Sequence, residues 1–429
     1  MDNKKYKVKL IMGFLLIFII ITILNSCVKN EISKISETKN NNIIENDVID
    51  NEWEKILEKA KGTTVNFYGW GGSEQTNNWI DNILAPYAKE NYKINVNRIP
   101  MNIDEILNKL LSDKENKIEN GNVDLIWING ENFANAKEND LLYGPFTDKL
   151  PNFKKYINPN DDEIKYDFAT LVEGYESPYG KAQFVLIADK NVFHKPPLNA
   201  DELLAYCKNN PGKFTYEALP GFTGSAFVRN IIYEKVGYEK LAYLPKEITK
   251  EEVKIIIKPA IDYLIELNKY LWQEGKTFPA TIEILDGMFI DGVLDFSMSY
   301  NPYYVATQIE NGQYPDSIIS FVFENGTIGN TNYVAIGFNS SNVEGAMCLA
   351  DAILSVPMQS SKMEPKVWGT LPVCDMSKLN SEELKIFDSI PVGKGSLSQS
   401  ELLAKRKPEL PAYLVTIIED IWEEEVLGK

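Results

Sequence analysis

Four short blocks of this chain combine glycine, hydroxyl, amide and aromatic residues in ways that suit recognition of a solute. Gly69-Trp70-Gly71-Gly72-Ser73 follows the apolar run Thr64–Tyr68 and precedes a helical pattern. In open α/β sheets ligands bind beyond the carboxyl ends of strands, and N–H groups at a helix start hold anionic or carbonyl oxygens. Gly71 and Gly72 would let a ligand approach the backbone, Ser73 would add a hydroxyl, and Trp70 would stack on a ring or a cation. A tight turn with Trp70 in the core would use the same residues. Asn129-Gly130-Glu131-Asn132 holds the equivalent place after Val123–Ile128. There Asn129 or Glu131 could bond a solute, Glu131 favouring a positive group, or Asn129 or Asn132 could simply cap a helix beginning at Phe133.

Thr223-Gly224-Ser225 opens another helical pattern, as an oxygen-binding corner or only as a cap. Tyr300-Asn301-Pro302-Tyr303-Tyr304 places aromatics after a strand, where they could form a cleft wall that stacks flat ligands. The competing reading packs Tyr303 and Tyr304 on a neighbouring helix. Tyr179 and Asn332 complete the candidate set. Arg229, one turn past Ser225, could pair with an acidic ligand or a carboxylate. Asp286-Gly287 and Asp291-Gly292 read as turns.

Several chemistries are excluded by composition. The single histidine, His194, would have to serve any Ser-His-Asp hydrolase, and no Gly-x-Ser-x-Gly elbow accompanies it. Zinc hydrolases use two or three imidazoles, so no metal site is expected. A glycosidase needs a paired acid and base, and no pair stands out among 61 Asp and Glu. No cofactor motif is present.

The elements that must position these blocks alternate strand with helix. Thr64–Tyr68, Ile94–Ile99 and Val123–Ile128 read as strands, with helices around Trp79–Tyr87 and Asp104–Leu111 between them. Such units favour a parallel sheet covered on both faces. Gln183–Ala188 and Asp295–Ser299 are further strands, and Ser317–Glu324 and Thr331–Phe338 extended segments. Helices are expected near Ala200–Lys208, Ser225–Val236, Glu251–Glu274, Glu344–Leu354, Ser400–Ala404 and Pro411–Val426.

The chain begins with a secretory signal over residues 1–26: Lys4, Lys5, Lys7 and Lys9, then the apolar run Leu10–Leu24, then Asn25-Ser26-Cys27. That run falls short of the ~20 residues a permanent span needs. A cysteine after Leu-x-Ser resembles the bacterial lipobox, which implies a lipid on Cys27, cleavage before it and an extracytoplasmic, membrane-tethered location. An uncleaved anchor is the alternative. Polar residues 27–51 read as a flexible tether. Cleavage leaves 403 of 429 residues, more than one core supports, so two lobes are expected. It also removes a net +3, taking the charge from −17 to −20, which repels nucleic acid. Cys207, Cys348 and Cys374 read as buried thiols, with a Cys207–Cys374 pairing left open.

From Val65 onward the chain resembles a bacterial extracellular solute-binding protein (family 1), the receptor lipoprotein of an ABC importer. The resemblance rests on Val65–Ser73, Val123–Phe133, Leu141–Phe146, Phe222–Val228, Thr327–Ile336 and Val367–Gly369, in that order. It implies a type II periplasmic-binding-protein fold: two α/β lobes, a ligand cleft between them and extended hinge segments. The chain would cross at Pro178–Ala182 and return near Phe323–Thr331. Lobe 1 would hold residues 52–180 and 331–395, lobe 2 residues 181–330, with C-terminal helices over 396–429 packing on the lobes. The partners implied are a small solute and separately encoded permease and ATPase subunits, with the chain a monomer and no enzyme. A carbohydrate-binding surface lipoprotein and a carboxylate-based glycosidase are the competing functions. Glu131, Trp70 and the tyrosines tilt the ligand toward an organic cation such as a polyamine or a thiamine-like compound.

Overall fold

The computed structural model describes residues 52–193 and 195–427. The signal segment, Cys27, the tether and His194 lie outside the described residues. Residues 52–58 are helical, and a compact unit begins at Lys59.

The first part of that unit runs β1 (Thr64–Gly69), α1 (Glu74–Trp79), a π-type turn at Ile80–Leu84, α2 (Ala85–Asn91), β2 (Asn95–Pro100), α3 (Ile103–Glu115), β3 (Leu125–Ile128) and α4 (Gly130–Glu138). Then β4 (Glu176–Gln183) passes almost directly into β5 (Val185–Asp189). There follow α5 (Phe222–Lys235), α6 (Lys250–Asn268), α7 (Ile282–Ile290), β6 (Phe296–Ser299), β7 (Ile318–Phe321) and β8 (Thr327–Gly337). The chain closes with α8 (Val343–Ile353), α9 (Val356–Met363) and α10 (Ala412–Trp422).

Two sheets organise the unit. In the larger one, β2, β1 and β3 are parallel neighbours, as the strand–helix alternation requires. β8 then pairs antiparallel with both β3 and β4, so the sheet is mixed where an all-parallel one was expected. The reason is its route: β8 enters from the other sheet without a covering helix to reverse it. Two-residue strands at Leu142–Tyr143 and Arg406–Lys407 complete seven. The smaller sheet has the order β7-β5-β6, all antiparallel.

Each sheet carries its own core. Tyr68, Ile106, Leu110, Ile126, Ile128 and Phe133 are buried around the larger one. Leu186, Phe227, Ile231, Leu264, Phe296 and Trp422 are buried together around the smaller one, and each such side chain stabilises by about 1.5–3 kcal/mol. α10 contributes Leu414, Ile418 and Trp422 to this second core. β4/β5 and β7/β8 carry the chain between sheets, β4 and β8 running side by side from Gly329↔Gln183 to Ala335↔Glu176, and the segment leading to α10 returns it to the smaller-sheet core. Paired extended segments of this kind concentrate bending in few residues, which is how hinges are built.

Caps explain where the helices start. Asn102 with Glu105 and Thr249 with Glu252 form capping boxes for α3 and α6. α6 ends at Asn268, short of the expected Glu274, because a 3-10 turn takes over at Trp272–Gly275. Asp286 forms no turn: it is buried within α7 and accepts bonds from Ser297 (2.6 Å), Tyr304 (2.9 Å) and Tyr314. Cys207, Cys348 and Cys374 are buried and free.

Candidate functional site

The turn after β1 shows why its glycines are needed. A Cβ on Gly72 would fall 2.2 Å from Trp70 Cζ2, and one on Gly71 2.5 Å from Pro100 Cβ. Gly72 therefore lets the Trp70 indole fold back over the turn, and Gly71 lets the turn lie against the end of β2. Ser73 caps α1, its hydroxyl accepting the Thr76 N–H at 3.2 Å. Trp70 itself remains 48% exposed.

Behind Trp70, the rings of Phe67, Trp127 and Tyr179 together with Ile80 and Arg98 frame a hollow of about 10 Å³. That admits roughly one water-sized atom. Trp127 Nε1 and the Tyr179 hydroxyl are both buried without a hydrogen-bond partner. Trp127 was not singled out on sequence grounds, although its alternation with Ile126 and Ile128 puts the indole on the opposite face of β3 from the core.

After β3, Asn129 occupies the cap position of α4, but its side chain donates to Asn332 Oδ1 at 2.8 Å instead of capping. The helix begins at Gly130, ahead of the expected Phe133, and the Gly130 N–H donates to Asp167 at 2.5 Å. Glu131 is open to solvent yet surrounded closely enough for desolvation to raise its carboxyl above the usual range. Arg229 of α5 pulls it back down, while Asp104 and Glu409 push it up. Burial raises the Glu419 carboxyl of α10, Ser225 and Arg229 oppose it, and Glu131 adds a smaller upward push. Groups from both sheets thus lie within electrostatic reach of one another.

On the smaller-sheet side, the corner expected for ligand oxygen is filled by the chain itself. The N–H groups of Thr223 and Gly224 donate to Glu217 Oε2 at 3.1 and 3.0 Å. Gly224 is required because a Cβ there would stand 2.1 Å from the Glu217 carbonyl oxygen. Gly221, not Thr223, holds the cap position. Ser225 donates to Glu419 at 2.5 Å and accepts from Arg229. Arg229 forks onto Glu409 at 2.9 and 3.0 Å, and the Tyr300 hydroxyl adds a third bond to that carboxylate at 2.8 Å. Phe222, 47% exposed, meets the Tyr300 ring edge-on with centroids 4.7 Å apart.

The remaining tyrosine block is structural. Asn301 accepts from the Tyr303 N–H at 3.0 Å and donates to the Trp368 carbonyl at 3.3 Å, which makes it a turn former. Tyr303 is 1% exposed and packed among Val185, Val322, Leu371 and Leu402. Tyr304 begins a helix and bonds Asp286, as the helix-packing alternative held.

The structure therefore brings Trp70 and Tyr179 onto one hollow, joins Asn129 to Asn332, and leaves Glu131 within electrostatic reach of Arg229. It does not bring Tyr303 or the Thr223–Gly224 amides to open space. Among the described residues no cluster of three or more His, Cys, Asp or Glu side chains could hold a metal ion. Nor is any helix there long and apolar enough to cross a membrane.

A family model described as bacterial extracellular solute-binding protein matches residues 82–385. Protein YnjB of Escherichia coli (strain K12) is 35% identical over 331 residues, covering 76% of this chain and 84% of that protein. Among solved structures, an ABC transporter protein from Clostridium perfringens aligns with a TM-score of 0.58 at 18% identity, over 84% of this chain and 98% of that one. The spermidine/putrescine ABC transporter substrate-binding protein PotD from Streptococcus pneumoniae aligns at 0.56 and 13% identity, over 84% and 98%. Likeness at these identities shows the fold, which is two-lobed and α/β, of the type II periplasmic-binding kind.

Proposed function

The chain belongs to the bacterial extracellular solute-binding proteins, and from that premise we propose how it captures its solute. It is the receptor of an ABC importer: a small polar solute enters between the two sheets, the lobes close about the paired crossings β4 and β8, and the closed form is handed to the permease. No bond is made or broken. The observation that carries this reading is the pair of sheets, each with its own core, joined side by side through β4 and β8. A solute held between the two would touch both lobes, so its binding energy would favour closure.

On this reading lobe 1 comprises residues 52–180 and 331–395 and lobe 2 residues 181–330. α10 belongs with lobe 2, because its apolar side chains join that core. Trp70, Glu131, Asn129, Asn332, Tyr179 and Ser225 are the ligand-facing candidates. Glu131 and the exposed Trp70 support a positively charged organic group, since an indole face and a carboxylate both attract a cation. The protein acts as a monomer outside the cytoplasm, held to the membrane through a lipid on Cys27, beside separately encoded permease and ATPase subunits.

A thermal-shift panel of polyamines, thiamine, sugars and oxyanions tests the proposal, because a tight binder raises the melting temperature by mass action. X-ray scattering with the best binder should show a smaller radius of gyration. A response confined to oxyanions would remove the cation, and turnover of any compound would remove the receptor.

A further inference from the structure

We infer that the segment from Pro145 to Gly174 builds a second binding site, for a small amphipathic anion: an apolar chain ending in a carboxylate.

A hollow of about 680 Å³ opens there. That is within the ~300–1,000 Å³ typical of small-molecule sites, with room for roughly twenty water-sized groups. None of Trp70, Asn129, Glu131, Tyr179, Ser225 and Asn332 lines it, so it is separate from the site described above. The helix Pro151–Tyr156 and the two-stranded hairpin Tyr166–Leu171 supply its walls. Phe153, Ile157, Ile164, Leu171 and Val172 give it an apolar lining. Ile157, Ile164 and Val172 are buried in the fold behind it, while Leu171 remains 41% exposed at its edge. Such a lining recognises a hydrocarbon body, because each methylene moved onto it from water tightens binding by up to about fourfold.

Charge selects the head of the ligand. Lys154, Lys165 and Lys378 line the same hollow, and all three are exposed. Among the described residues, no carboxylate forms an ion pair with Lys154 or Lys165. The Lys165 ammonium lies 5.2 Å from the ring centroid of its neighbour Tyr166, and Lys378 donates to the Ile157 and Lys154 carbonyls. Two acids also line the hollow, Asp148 and Glu173. Glu173 is taken by Lys137 at 2.7 Å, which leaves Asp148 against the three ammoniums. In a chain with 61 acidic and 44 basic side chains, this is a local reversal of sign. A cation would be repelled there, whereas a carboxylate would be attracted. A concave hollow of this volume takes one free molecule, not the plane of a bilayer.

Isothermal titration of the full-length protein with hexanoate, octanoate and decanoate tests the site, with decylammonium as the cationic match of decanoate. Affinity should rise roughly fifteenfold for every two methylenes added, and decylammonium should bind about tenfold more weakly than decanoate. Lys154→Glu combined with Lys165→Glu reverses two exposed charges. It should weaken decanoate about tenfold while leaving the melting temperature near that of the parent. Leu171→Ser trims the exposed wall and should reduce the gain from chain length. The site is overturned if decylammonium matches decanoate, if affinity does not rise with chain length, or if decanoate fails to bind at millimolar concentration. It is equally overturned if the doubly reversed variant binds decanoate as the parent does, which would place the carboxylate elsewhere on the molecule. Each of these results leaves the receptor reading standing, because no residue facing the proposed cleft is altered.

Discussion

The Lys362 ammonium lies 4.8 Å from the ring centroid of Tyr179 and donates to that residue's backbone carbonyl. Trp79 and Trp368 close the cage at 5.5 and 5.6 Å. The chain thus fills an aromatic cage with its own cation, directly behind the ring that faces the hollow. The cage also fixes Tyr179, whose ring packs edge-on to Trp79 and tilted on Trp368, with centroids 5.8 and 5.3 Å away.

Burial pushes the Lys362 amine down from 10.5 to about 7, with Cys374 acting weakly the other way. In the unfolded chain the amine stays protonated to its ordinary value. Between about 7 and 10.5 folding therefore releases a proton, and this group's contribution improves as pH rises through that window. Below about 7 the full penalty is present. Lys362→Met should stabilise the protein near pH 6, by an amount on the order of a few kcal/mol, with the gain shrinking toward pH 10. Urea titrations of both proteins at each pH measure the difference. A variant less stable at every pH would mean that the three rings outweigh desolvation.

Trp70 and Tyr303 look alike in the sequence, as aromatics following a strand, but the structure separates them. Trp70→Ala removes an exposed side chain, so the ligand-free melting temperature should move little while solute affinity falls. Tyr303→Ala empties a packed site and should cost about 3–5 kcal/mol. Paired melting and binding measurements distinguish the two, and equal thermal losses would place Trp70 in the core.

That contrast marks what local pattern reveals. β1, β2, β3 and the helices between them follow from alternation and helical spacing. The reversed direction of β8 does not, because hydrophobic alternation carries no strand polarity. Nor could the sequence show that Glu217 occupies the Thr223–Gly224 amides, or that α7 buries Asp286 among three hydroxyls. Residues 79, 179, 362 and 368 meet in one cage only through tertiary packing.

Arg229 and Glu409 form a buried, two-pronged ion pair with side-chain exposures of 1% and 2%. Removing one partner from such a pair strands the other charge in a place without water. Arg229→Met should therefore cost about 3–5 kcal/mol, and Arg229→Met combined with Glu409→Leu should recover much of it. A double-mutant cycle by chemical denaturation gives the coupling. Additive losses would show that the fork contributes little beyond packing.

Glu176 sits at the start of the crossing strand β4, opposite Ala335 of β8, and is fully buried with neither carboxyl oxygen bonded. Burial raises its carboxyl well above the ordinary 4.5, Asp167 pushes it further, and Lys137 opposes them. The native state accordingly keeps a proton that the unfolded chain gives up above about 4.5. This group's favourable contribution is complete below that value and is lost as pH climbs through the raised folded value. Glu176→Gln, which keeps the shape without the titration, should match the parent near pH 4 and exceed it in stability as pH rises through and beyond neutrality. Melting curves across pH 4–8 read the gap, and parallel profiles for the two proteins would mean that Glu176 is ionised inside the hinge. In that event water reaches the buried start of β4.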